Sequence, residues 1–193
     1  MSKSIYEYQQ SLEEKVEQRT KELNIKNEEL FKLSITDKLT GLYNRVKLDS
    51  VLKENMSLSL RYGNIFSVII IDIDFFKKIN DNFGHQVGDD VLKECSYILS
   101  QNIRNVDTLG RWGGEEFLVV CPETLKDGAK DLAIKLNKAI KLHKFSTYPH
   151  SVTISVGVAS CSVNDLNYDD IISNADKALY EAKNNGRDRV EIF

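Results

Sequence analysis

The sequence predicts an α+β fold preceded by one long helix, and three observations predict it. Within residues 1–33, Ile5, Leu12, Val16, Leu23, Leu30 and Leu33 fall on a register alternating between three and four, with no Gly or Pro to interrupt it. From residue 34 onward the apolar runs change period in the order strand, helix, strand, strand, helix, strand, which is the split βαβ arrangement of a ferredoxin-like sandwich. Finally, Asn64-Ile65-Phe66-Ser67-Val68-Ile69-Ile70-Ile71 is a nearly unbroken β-branched run of the kind buried on both faces of a sheet.

Residues 1–33 read as a coiled-coil arm, about 50 Å long at most at 1.5 Å per residue. Gln9, Arg19 and Lys26 fall on the same seam, so the coil is imperfect. The boundary lies near Leu33, and residues 34–193 form the second domain. In order, its elements are a helix from Ser34 to about Arg61, a strand at 65–73, two helices to about Arg104, a hairpin from Asp107 to Cys121, a helix from Leu125 to Leu142, a strand at 151–159, a helix from Tyr168 to Asn185, and a last strand at 188–193. The expected sheet is mainly antiparallel with helices on one face. Ala129–Leu136 repeats apolar residues at helical spacing and belongs to the core.

Two acidic clusters carry the chemistry. The buried run ends in Asp72-Ile73-Asp74, and carboxylates at the end of such a strand are costly unless paired or bound to a cation. A plain alternative has Asp74 capping a helix from Phe75, with Asp72 exposed. The second cluster is Arg111-Trp112-Gly113-Gly114-Glu115-Glu116-Phe117, where Gly-Gly suits a two-residue turn and alternation sends Glu115 and Glu116 to opposite faces. Should this hairpin lie beside the buried strand, Asp72 and Glu115 converge, and such hard oxygens suit Mg²⁺ or Mn²⁺ held together with a substrate phosphate. Phe75-Phe76-Lys77-Lys78 then opens a helix whose free N–H groups favour an anion, with Lys77 able to neutralise charge on a phosphoryl group. Asn80 offers a donor and an acceptor. Asp89 can accept the N1 and N2 donors of guanine, or else simply cap a helix starting near it.

These residues resemble the GGDEF domain of diguanylate cyclases. The matches run in the family's order: Asp37-Lys38-Leu39-Thr40-Gly41-Leu42-Tyr43-Asn44-Arg45, Asp72 through Asp81, Phe83-Gly84-His85 with Gly88-Asp89, Gly113 through Phe117, Thr153-Ile154-Ser155-Val156-Gly157, and Ala175-Asp176-Lys177-Ala178-Leu179-Tyr180 through Lys183, Gly186 and Arg187. Glu115 replaces the Asp of the family's name and keeps its charge; Val46 stands where many members have a second Arg. The resemblance implies a core like nucleotidyl cyclase and polymerase palm domains. It also implies condensation of two GTP to cyclic di-GMP with release of two pyrophosphates, by a homodimer of half-sites. Asp72, the Ile73 carbonyl and Glu115 would be metal ligands, with Glu116 a lesser contributor and Glu115 also the acceptor of the hydroxyl proton. Lys77 would stabilise the transition state, Asn80 and Asp89 would read guanine, His85 would line the substrate site, and Lys183 with Arg187 would hold the terminal phosphates. Arg104-Asn105-Val106-Asp107 matches the family's product-inhibition motif, at which cyclic di-GMP binds; an incidental surface ion pair is the alternative. An upstream sensor joined through the arm would be the further partner.

Composition agrees with this. The chain has 193 residues, is 41% hydrophobic and carries a net charge of −3, which disfavours nonspecific nucleic-acid binding. No apolar run reaches membrane-spanning length and the polar start lacks a signal-peptide core, so a cytoplasmic protein is expected. Cys95, Cys121 and Cys161 are widely spaced and read as buried reduced thiols. Two other functions share the fold: a non-enzymatic nucleotide receptor, against which the intact Asp72, Lys77, Glu115 and Glu116 count, and a dimerising module acting through residues 1–33.

Overall fold

The computed structural model describes the backbone of residues 2–162, 165 and 167–193, and side chains within that span except at 2–7, 9–11, 13, 14, 28 and 29. The chain divides into two compact units, Met1–Ile35 and Thr36–Phe193. The first is one helix, α1 (Ser2–Ile35). Its seam residues Leu12, Val16, Leu23, Leu30 and Leu33 are 50–63% exposed. The seam positions Ile5 and Gln9 lie outside the residues whose side chains are described. Among the described residues no helix is long and apolar enough to cross a membrane.

The second unit does not begin with the helix expected from Ser34. Asp37 Oδ1 accepts from the Thr40 amide (2.9 Å) and hydroxyl (2.7 Å), while Gly41 takes a left-handed φ of +71°. This closes a turn that helix geometry cannot accommodate. Helix α2 (Arg45–Tyr62) starts only after Asn44, whose side chain caps it by accepting the Lys47 N–H. The other elements are β1 (Phe66–Ile73), α3 (Phe76–Phe83), α4 (His85–Asn102), β2 (Thr108–Gly113), β3 (Glu116–Pro122), α5 (Lys126–Leu142), β4 (Ile154–Ser160), α6 (Tyr168–Asn184) and β5 (Val190–Ile192).

The sheet order is β2-β3-β1-β4-β5, with β1 antiparallel to both β3 and β4, and β5 added in parallel beside β4. The first four strands have the split βαβ order. Helices cover both faces, however, correcting the one-face expectation. Ile69, Ile71 and Ile73 enter a core shared with α3, α4 and α5, whereas Val68 and Ile70 enter a second core shared with α2 and α6. Every residue of β1 is buried for this reason. Cys95 and Cys121 are buried and burial drives both thiol pKa values well up, but Cys161 is partly exposed, its Sγ 3.2 Å from Ser59 Oγ. The expectation of three buried thiols therefore holds for two.

Candidate active site

Alternation along β1 turns Asp72 the same way as Val68 and Ile70, toward α6. Antiparallel pairing sets Glu116, the first residue of β3, directly opposite it, so the two side chains share a face. From α6, Lys183 Nζ reaches Asp72 Oδ2 at 2.8 Å. Asp176, two turns earlier on α6, feels the same ammonium and adds its charge to the field at Glu116. Burial raises the Asp72 pKa, Lys183 opposes the rise, and Glu115 and Asp74 add to it. For Glu116 burial again leads, followed by repulsion from Asp72, with the net shift upward. Asp176 is raised by burial against the pull of Lys183. The cluster thus has more negative charge than its own cation neutralises.

The hairpin differs from the expected Gly113-Gly114 turn. Gly113 pairs with Glu116 across a bulge after Arg111, so the turn residues are Gly114, at φ +45°, and Glu115. Tertiary contacts fix this shift: Arg45 stacks over Trp112 at 4.3 Å, Arg111 Nε donates to the Gly114 carbonyl at 2.9 Å, and Arg111 Nη1 pairs with Asp37 at 3.3 Å. Burial would raise the Asp37 pKa, but the Thr40 and Arg111 contacts outweigh it and hold the carboxyl below its ordinary range. Glu115 therefore sits in the turn rather than on the strand, with its carbonyl accepting the Ile73 N–H at 3.4 Å and its charge felt at Asp72.

Asp74 neither caps α3 nor faces solvent, and the exposed position considered for Asp72 is likewise not found, since the two are 5% and 7% exposed. Asp74 accepts from the Thr153 hydroxyl (2.7 Å), the Ser155 hydroxyl (2.6 Å) and the Asp188 N–H (3.0 Å). With its oxygens so engaged it braces the site. Phe75, just before α3, lies in the left-handed region (φ 57°), and so do Arg187 (65°) and Asp188 (49°) after α6. Such conformations cost about 1–3 kcal/mol each and concentrate at functional sites. The Arg187 guanidinium lies 4.7 Å over the Phe75 ring and donates to the Lys183 carbonyl, so the two cations expected at the terminal phosphates are neighbours.

Lys77 is exposed in the first turn of α3. His85, also exposed, begins α4 after Gly84, so Asp89 lies within that helix and is not its cap. Arg104 and Asp107 form a closed turn: the Asp107 carboxylate accepts the Arg104 N–H at 2.9 Å, and the Asp107 N–H donates to the Arg104 carbonyl at 3.1 Å. Among the described ion pairs none joins the two side chains, and Asp107 Oδ1 is buried with no hydrogen-bond partner.

Two contributors went unrecognised in the sequence. Asp176 was foreshadowed by its seven-residue spacing from Lys183, which puts both on one face of a helix. No local pattern signals the Arg111 tie to Gly114. Among the described residues no group of three or more His, Cys, Asp or Glu could hold a metal ion by itself. Mg²⁺, however, ordinarily keeps waters and takes substrate phosphates alongside one or two carboxylates. The charge-rich oxygen set at Asp72, Glu115 and Glu116 fits that mode.

Comparison with known proteins identifies the family. The family described as "Diguanylate cyclase, GGDEF domain" matches residues 34–189. Diguanylate cyclase DgcP of Pseudomonas aeruginosa is 38% identical over 188 residues, 95% of this chain and 28% of the relative. Diguanylate cyclase A of Treponema denticola is 38% identical over 173 residues, 87% of this chain and 47% of the relative. The chain thus spans less than half the length of these curated relatives. The crystal structure of the coiled coil and GGDEF domain of DgcB from Caulobacter crescentus, in complex with c-di-GMP, superposes with a TM-score of 0.86 at 27% identity, covering 95% of this chain and 100% of that one. With the family matched over most of this chain and the overall fold shared at that TM-score, this chain belongs to the GGDEF domain family.

Proposed function

We propose that the protein is a diguanylate cyclase that condenses two GTP molecules into cyclic di-GMP and releases two pyrophosphates. The observation that carries this is the meeting of Asp72, Glu115 and Glu116 at the end of β1 beside Lys183 and the first turn of α3, in a chain whose relatives bear that activity by name. Asp72, the Ile73 carbonyl and Glu115, with help from Glu116, would hold Mg²⁺ (or Mn²⁺), which when bound supplies charge neutralisation at the reacting phosphate. Glu115 accepts the proton of the attacking 3′-hydroxyl, and its turn position lets it approach from outside the strand. Lys77 stabilises charge on the α-phosphate. Lys183 and Arg187 hold the terminal phosphates, while Asn80 and Asp89 select guanine with His85 lining the pocket. Phosphoryl transfer needs positioning and charge neutralisation, not a protein nucleophile.

One hairpin serves one triphosphate, and the cyclic product needs two bond-forming events, so two domains must face each other as a homodimer of half-sites. The exposed apolar seam of α1 supports residues 1–33 as the dimerising and signalling arm. The greater length of the relatives supports a sensor upstream. Arg104 and Asp107 form the inhibitory product site, which the unpartnered Asp107 Oδ1 supports. Incubation of the purified protein with GTP and Mg²⁺ should yield cyclic di-GMP, and Asp72→Ala or Glu115→Ala should lower the yield by at least about three orders of magnitude with the fold intact. Cyclic di-GMP formation at the parent's rate by either variant, or none by the parent, would refute the assignment.

A further inference from the structure

Gly88 stands inside α4, where glycine is a poor choice: it loses more backbone freedom than any other residue and is a weaker helix former than all but proline. Its φ is not positive, so the backbone itself makes no demand for glycine. The demand comes from space. A Cβ on Gly88 would overlap Asn80 Oδ1, lie 2.9 Å from Asn80 Cγ and lie 3.2 Å from Phe76 Cζ. The Asn80 amide therefore fills the notch that the missing side chain leaves on α4. Phe76 is buried and closes the notch behind it, while the Asn80 main chain is anchored by the Gly84 N–H at 2.9 Å. The amide is the part free to swing. Asp89, the adjoining residue of α4, is half-buried.

We infer that Gly88 is a positioning residue for base selection: its open Cβ site seats the Asn80 amide next to the helix turn that carries Asp89, so that two separate helices present one guanine-reading surface. This rests on the assignment of Asn80 and Asp89 to the base. Because the overlapping atoms are the far end of a flexible side chain, Gly88→Ala should displace that amide and spare the fold.

The probes are 3′-deoxy-GTP and 3′-deoxy-ATP with Mg²⁺, which lack the attacking hydroxyl and so report binding alone, titrated calorimetrically into the full chain. Gly88→Ala should weaken 3′-deoxy-GTP roughly tenfold, the size of one lost hydrogen bond, and leave 3′-deoxy-ATP unchanged. Asn80→Ala should do the same, and the double variant should be no worse than Asn80→Ala, because the two act through one group. If Asn80→Ala narrows the guanine preference but Gly88→Ala keeps the parent's, the inference is overturned while the base assignment stands. If Asn80→Ala itself changes nothing, the base assignment fails and takes the role of Gly88 with it. Should Gly88→Ala fold poorly, adding Asn80→Ala should restore the parent's thermal midpoint; failure to do so would locate the clash elsewhere and overturn the inference.

Discussion

Replacing Lys183 with Met keeps the aliphatic stem on α6 and deletes the only ammonium within reach of Asp72 among the described ion pairs. At 2.8 Å and an effective dielectric of ~20 the gross Coulomb energy of that pair is about 6 kcal/mol. Most of it is returned in desolvation and side-chain ordering. Truncating one partner of a fully buried pair costs about 3–5 kcal/mol and of an exposed pair about 0–1. Here the side chains are 10% (Asp72) and 30% (Lys183) exposed, so a loss of about 2 kcal/mol is expected near neutrality. The deficit must depend on pH with a defined sign. Burial has already raised the Asp72 pKa, and removing Lys183 raises it further. An acid whose pKa is higher folded than unfolded weakens the fold as pH climbs from its unfolded pKa through its folded one. Denaturant melts should therefore show a small deficit near pH 4 that grows toward pH 7, and added Mg²⁺ should stabilise the variant more than the parent, since it meets no competing ammonium. A deficit constant across pH, with an equal Mg²⁺ response, would mean that Lys183 acts by packing alone.

Three further outcomes follow from the same architecture. Gly157→Ala should destabilise the domain by about 3 kcal/mol or more, read from denaturant midpoints, because its Cβ would strike the Ala175 carbonyl and the Leu179 backbone, which cannot move without lifting α6 off β4. Arg104→Ala should keep the initial rate of cyclic di-GMP formation but lose at least tenfold in sensitivity to added product; unchanged inhibition would reduce the Arg104–Asp107 turn to a structural element. Deleting residues 1–33 should leave a folded GTP-binding monomer whose activity per molecule rises with protein concentration, and full activity at nanomolar concentration from a sedimenting monomer would defeat the half-site mechanism.

The parts of the fold legible in sequence were those written in local period and composition: the β-branched run of β1, the apolar spacing of α5 and the hairpin signal at Gly113-Gly114. The motifs around Asp72, Lys77 and Glu115 carried the family. What escaped was set by partners distant in the chain. The bulge that moves Glu115 into the turn depends on Arg45 and Asp37, far upstream of Trp112 and Arg111. The two-sided helix cover was hidden because the apolar stripes of α2 and α6 do not say which sheet face they will meet. The break at residues 36–44 is different: Asp37, Thr40, Gly41 and Asn44 are ordinary turn and cap residues, and the helical spacing around them masked their meaning.

The hydrogen bond from Asp188 to Asp74 joins residues 114 positions apart. During synthesis Asp74 emerges with β1, yet one of its three partners follows only after the whole of α6 has been made. A nascent chain halted within α6 would hold β1, both acidic clusters, α3 and α4 while Asp74 still lacked that donor and Phe75 lacked the Arg187 guanidinium. The constellation is thus completed by the segment that follows α6, and a chain ending within α6 would carry β1 and both acidic clusters without the Asp188 brace on Asp74 or the Arg187 stack on Phe75.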